Sequence, residues 1–193
     1  MTLNPSTTAP MFLSALTSAS IIGQGAAQLA YACASGLQAY ASFGVRVFTF
    51  DVGTVGSGIG VGSGVVIPPP AATGAMIAAF TGAGIVGTHA APTATAIGLA
   101  LCQAMSQAVV QSNHAGVGVG SGVIQLVPNP GASVPAFITA FTGAGLVGVS
   151  SAQMATAVAI GVDSSLPSAK GVVAISGAGS LYPGSGTGIG FLL

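Results

Sequence analysis

The run Phe80-Thr-Gly-Ala-Gly-Ile-Val-Gly87 returns 61 residues later as Phe141-Thr-Gly-Ala-Gly-Leu-Val-Gly148. A looser copy, Leu16-Thr-Ser-Ala-Ser-Ile-Ile-Gly23, precedes the first by 64. Self-similarity at a period near 60 means that one local solution is used three times, and stacked copies must share a core that none can bury alone. Each motif is followed by an Ala-rich stretch and then by a glycine-alternating segment. Gly60-Val-Gly-Ser-Gly-Val65 matches Gly118-Val-Gly-Ser-Gly-Val123, with Gly186-Thr-Gly-Ile-Gly-Phe191 as a third, looser version. Proline clusters at Pro68 to Pro70 and at Pro128 and Pro130 close the first two copies. The chain therefore reads as one domain, 1–193, of three tandem units at about 10–70, 71–130 and 131–193.

Within a unit, Met76, Ile77, Phe80 and Ile85, and their counterparts Phe137, Ile138, Phe141 and Leu146, have the spacing of one face of a short helix. Gly87 and Gly148 stand where a left-handed helix cap is expected, and Thr88, Ser150 and Ser151 suit the start of a following helix. The second helices carry Ala94, Ala96, Ala100 and Ala104, or Ala152, Ala155, Ala157 and Ala159, which allow close helix approach. Val45 to Phe50 reads as a conventional strand. In the glycine-alternating segments Val61 and Val65 share one face while glycines bare the backbone on the other, an arrangement that invites close approach of another chain. The expected fold is thus α+β: three repeats, each a short helical hairpin followed by a Gly-alternating β segment.

Only four side chains are formally charged, Arg46, Asp51, Asp163 and Lys170, with no Glu, where an ordinary domain is about a quarter charged. With zero net charge there is little to hold copies apart. Hydrophobic content of 51% argues against disorder. A membrane span needs about 20 consecutive apolar residues. The best stretch, Thr93 to Val110, contains Gln103, Ser106 and Gln107, and Ala75 to Val86 stops at Gly87. The start, Met1-Thr-Leu-Asn-Pro5, lacks the basic region of a secretory signal, so no export signal is expected. Cys33 and Cys102 read as small buried thiols rather than as a disulfide.

Candidate chemistry is thin. Gly82-Ala-Gly84-Ile-Val-Gly87 and Gly143-Ala-Gly145-Leu-Val-Gly148 have G-x-G-x-x-G spacing. A dinucleotide site, however, needs those glycines to open a helix, with an acid about 20 residues on. Here Gln107 and Ser168 occupy those places. The first copy has Ser18 and Ser20 for two of the glycines, as if small size were the requirement. Asp51 and Asp163, the only acids, fall in different units and are expected to pair with Arg46 and Lys170 rather than with each other. None of Ser57, Ser63, Ser121 or Ser185 has the G-x-S-x-G frame of a nucleophile elbow. His89 and His114 read as loop residues, and two His and two Cys make no metal-ligand spacing. Two cations cannot neutralise a nucleic-acid backbone. No catalytic, cofactor-binding or metal-ligating residue is expected, and no cofactor, nucleic acid or small-molecule substrate.

The Gly-alternating Val/Ser/Thr segments, in a chain so poor in charge, resemble those of structural proteins of tailed-phage virions. The resemblance is one of compositional style and transfers no functional residue. It implies a non-enzymatic capsid, tail or baseplate component located in the virion, whose partners are other assembly subunits and further copies of itself. An extracellular filament or surface-fibre subunit is the alternative reading, and a membrane-embedded Gly/Ala-rich helical protein the third.

Overall fold

The computed structural model describes the backbone of residues 3–42, 47–53, 57–62, 69–106, 109–117, 119–127, 130–168, 170–176 and 184–192, and side chains within 3–41, 72–105 and 130–167. The helices are α1 (Pro5–Ser18), α2 (Gln24–Ser42), α3 (Pro69–Gly82), α4 (Ala90–Ser106), α5 (Pro130–Gly143) and α6 (Val149–Ser165). They form three hairpins, α1–α2, α3–α4 and α5–α6. Each second helix also packs on the first helix of the next hairpin, α2 on α3, α4 on α5 and α6 on α1, so the six helices close into a ring.

The α+β expectation is corrected here. Where the structure places both backbone and side chain, the protein is all-helical, with six helices and neither strand nor sheet. Bulk decides what holds this part together: the helices bring aromatic and aliphatic groups on a constant face, and their burial stabilises the ring. The glycine-alternating segments, including the proposed bare face around Val61 and Val65, lie outside the residues with described side chains. Their backbones trace β1 (Val47–Gly53), β2 (Ser57–Gly62), β3 (Val109–Val117), β4 (Val119–Val127), β5 (Lys170–Ser176) and β6 (Gly184–Leu192). These pair antiparallel in the closed order β1-β2-β5-β4-β3-β6. β5 and β6 pair with strands of the first two units and not with each other.

One stripe on each first helix builds the core. Thr8, Phe12 and Leu16 on α1 correspond to Ala72, Met76 and Phe80 on α3 and to Ser133, Phe137 and Phe141 on α5, and all nine are buried. The spacing i, i+4, i+8 keeps them on one face of a 3.6-residue helix. Ile77 and Ile138, expected on that face, are instead more than a third exposed, as is Leu13 at the matching place on α1. One residue beyond the stripe is a rotation of about 100°. The prolines expected to close the units open the next helices instead, Pro69 beginning α3 and Pro130 beginning α5. An absent N–H costs nothing at a helix start. Asn4 caps α1, its side-chain oxygen accepting from the Ser6 N–H at 3.0 Å.

The repeated motif is a helix stop. In all three copies the chain leaves the first helix through the same pair of bonds. The Ile85 N–H donates to the Phe80 carbonyl at 2.9 Å and the Gly84 N–H to that of Thr81 at 3.0 Å. Leu146 and Gly145, and Ile21 and Ser20, repeat this with Phe141 and Thr142, and with Leu16 and Thr17. The left-handed residue is therefore Gly84 (φ 72°) or Gly145 (φ 75°), rather than Gly87 or Gly148, which lead into the second helices with φ 129° and 109°. At the same place in the first copy stands Ser20, the one positive-φ residue other than glycine (φ 61°) among the described residues. Small size is not the requirement: a Cβ at Gly82, Gly84, Gly143 or Gly145 would meet nothing within 4 Å. Gly84 and Gly145 answer to backbone conformation. Gly148 itself caps α6, so Ser150 and Ser151 lie inside that helix rather than at its start.

Glycine inside the second helices does a different job. A Cβ on Gly36 of α2 would lie 2.6 Å from Sδ and Cε of Met76 on α3, and one on Gly161 of α6 would strike the Phe12 ring on α1. Ala100 of α4 holds the equivalent place at the third joint and is fully buried. The large side chain of each first helix therefore seats in a notch on the preceding hairpin. Gly98 serves within its own hairpin, where a Cβ would come 2.8 Å from Cα of Thr73.

Two outcomes follow, both read as denaturant midpoints. Gly84→Ala should destabilise by about 1 kcal/mol because its Cβ forces an L residue into the left-handed region, while Ser20→Gly should stabilise slightly. Gly98→Ala, which meets backbone, should cost about 2–3 kcal/mol, more than Gly36→Ala, where only the flexible end of Met76 must move.

Candidate functional site

The tips of the three hairpins are the most unusual surface of the ring. Ile22, Val86 and Val147 occupy equivalent motif positions, and with Val149 they are 71–80% exposed. Each stands just after a Schellman stop and just before the glycine that leads into the next helix, so its outward direction is set by the same backbone in every copy. Isolated exposed aliphatics are ordinary, but three at one repeated position form a patterned apolar surface.

Beside these tips lies an open cleft of about 500 Å³ between the second hairpin's loop and helices α2 and α6. Its lining includes Leu29, Phe80, Ile85, Thr93 and Met154. His89 is its single titratable residue, with no carboxylate or thiol among the lining side chains. Among the described residues no group of three or more His, Cys, Asp or Glu is placed to hold a metal ion.

The polar chemistry of the ring is instead buried. Ser133 on α5 donates from Oγ to Oδ2 of Asp163 on α6 at 2.6 Å, and Oδ1 of Asp163 is buried with no hydrogen-bond partner among the described residues. Burial lifts the Asp163 carboxyl above the usual carboxylate range, and the Ser133 bond offsets this only in part. The expected pairing of Asp163 with Lys170 involves a side chain outside the described residues; among the described residues Asp163 bonds to a serine across the hairpin. The Tyr40 hydroxyl is buried beside the Cys102 thiol without a well-formed hydrogen bond. Burial raises both groups. Cys33 is buried among apolar side chains, and desolvation pushes its thiol up to about 12. Neither cysteine is in a disulfide, and both are buried.

The other residues weighed from sequence do not converge with these. The G-x-G-x-x-G glycines end one helix and lead into the next, with no preceding strand, so they do not form the strand-to-helix turn of a dinucleotide site. Arg46, Asp51, His114, Ser57, Ser63, Ser121 and Ser185 fall outside the residues with described side chains. The Ser133–Asp163 bond was missed because the two residues are 30 apart and belong to different helices. The available signal was Asp163 itself, an acid on the buried side of an Ala/Val-rich helix. Among the described residues no helix is long and apolar enough to cross a membrane. Compared with known proteins, the chain matches no family model, no curated protein and no solved structure.

Thiolate is the reactive form of cysteine, and a thiol held near 12 is almost wholly protonated at pH 8. In the native protein Cys33 should resist a thiol-reactive dye at pH 8, with labelling at least about 100-fold faster once guanidinium unfolds the chain. Equal rates in both states would show that Cys33 is not sequestered.

Proposed function

We propose that this protein is a non-enzymatic structural subunit of a large assembly, and that the assembly is a phage virion, with the subunit in its capsid, tail or baseplate. One observation carries the reading: Ile22, Val86 and Val147 face outward at the three equivalent hairpin tips, on a chain with four charged side chains. Stable interfaces are depleted in charge at their centres, and here nothing of like sign opposes the approach of another subunit. The threefold repetition supports a role in packing, because it presents the same contact from three directions. The virion assignment adds to this the compositional resemblance of the glycine-alternating segments. A surface fibre would share the low charge but requires export.

The test joins particle size to mutation. At micromolar concentration the native protein should sediment as oligomers or larger particles. The triple variant Ile22→Ser, Val86→Ser, Val147→Ser should shift it to smaller species with unchanged helical circular dichroism. Each serine removes an exposed aliphatic side chain whose burial stabilises by about 1.5–3 kcal/mol. A native chain that stays monomeric at high concentration sinks the assembly reading. Mass spectrometry of purified virions decides between particle component and fibre.

A further inference from the structure

The third hairpin contains a feature that its sister does without. The repeat offset of 61 places Asp163 opposite Cys102 and Ser133 opposite Ala72. Ala72 and Cys102 are both buried, so the same joint between a first and a second helix closes without an acid in the second unit. In the third it holds one of only two acids in the chain, bonded through Oδ2 to Ser133 and, among the described residues, orphaned at Oδ1. A carboxylate in that position carries charge on an oxygen that neither water nor protein satisfies. With a proton on Oδ2, the acid instead donates to Ser133 Oγ, and Oδ1 becomes a neutral carbonyl.

Among the described side chains, nothing nearby compensates the ionised form. α6 packs against α1, α5, α4 and the short turn Leu166–Ser168. Of these, α1, α5 and the turn contain no titratable residue, and α4 supplies only Cys102, itself held as a neutral thiol by burial. Lys170 opens β5, and Arg46 and Asp51 lie just beyond α2, outside the residues with described side chains.

We infer that the α5–α6 joint at Asp163 is a protonation-dependent clasp, tightest when Asp163 is neutral and loosened when it ionises, because burial opposes the charge by more than the Ser133 hydrogen bond favours it. The sign follows from linkage: a folded form that holds the proton more tightly than the unfolded chain gains stability as pH falls through the folded-state value and loses it as pH rises. The third hairpin then responds to acidification through a buried group, and α5–α6 is the part of the ring whose packing that group alters.

The chain is well suited to a direct test, because Asp51 and Asp163 are its only side-chain carboxylates. In protein labelled with ¹³C at aspartate, two carboxyl signals are expected, one titrating clearly above the ordinary aspartate range. That signal should disappear in Asp163→Asn. It should move to still higher pH in Ser133→Ala, which removes the one donor favouring the ionised form. In parallel, the guanidinium midpoint of the native protein should rise from pH 7.5 to pH 5, and Asp163→Asn should lose that part of the rise. His89 and His114 are common to both proteins and cancel in the difference. If Asp163→Asn does not fold, the native and Ser133→Ala titrations still decide, because only the Asp163 signal should differ between them. An Asp163 signal in the ordinary range, or an Asp163→Asn midpoint with the native pH slope, overturns the clasp.

Discussion

The structure depends on how closely helices approach at the joints between hairpins. Phe12 against Gly161 and Met76 against Gly36 are two instances of one contact, a large side chain on a first helix seated where the facing second helix has no Cβ. Ala100 keeps the third joint nearly as bare. A helix pair with a notch on one side and a knob on the other cannot satisfy both alone. It needs a neighbour on each flank, and three such pairs meet both demands by closing on themselves. The Ala-rich second helices, which have little apolar bulk to bury, are stabilised by what their neighbours insert.

Closing the ring leaves its ends as the places where the chain can differ from a simple bundle. At the tips the Schellman stop is used three times, which orients Ile22, Val86 and Val147 alike and sets an apolar pattern on the surface without any long-range contact. With Arg46, Asp51, Asp163 and Lys170 the only charges, that pattern is not offset by the solvated rim usual on a freely dispersed domain. Inside the ring the buried hydroxyls of Thr8, Ser133 and Ser165 are hydrogen-bonded, whereas Asp163 Oδ1 and the Tyr40 hydroxyl are buried without a hydrogen-bond partner among the described residues. Each of the latter two is a place where the core gives up stability, and the second hairpin shows with Ala72 and Cys102 that the joint itself does not require an acid.

Local signals were legible wherever the chemistry was local. The motif ending at Gly87 and Gly148 marked a helix stop, yet the left-handed residue proved to be Gly84 or Gly145, because Schellman geometry counts from the carbonyls of Phe80 and Phe141 and not from the last glycine of the run. Ser20 and its glycine counterparts looked like a demand for small size, and only the dihedral angles separate that from a demand for positive φ. Ile77 and Ile138 fit a helical period as well as Met76 and Phe137 do. Which of two adjacent apolar residues turns inward depends on where the next helix lies, and periodicity carries no such information.

From the residues alone came three repeated helical hairpins, buried thiols outside any disulfide and a surface nearly without charge, since each is set by composition or by bonds a few residues long. Tertiary structure decided that the hairpins form a ring, that packing among the described side chains is helical, and that Asp163 faces Ser133. These are contacts between residues 25 or more apart. Their selection rests on steric fit at Gly36, Gly98 and Gly161 and on the desolvation of single polar atoms, quantities that exist only once the helices have been brought together.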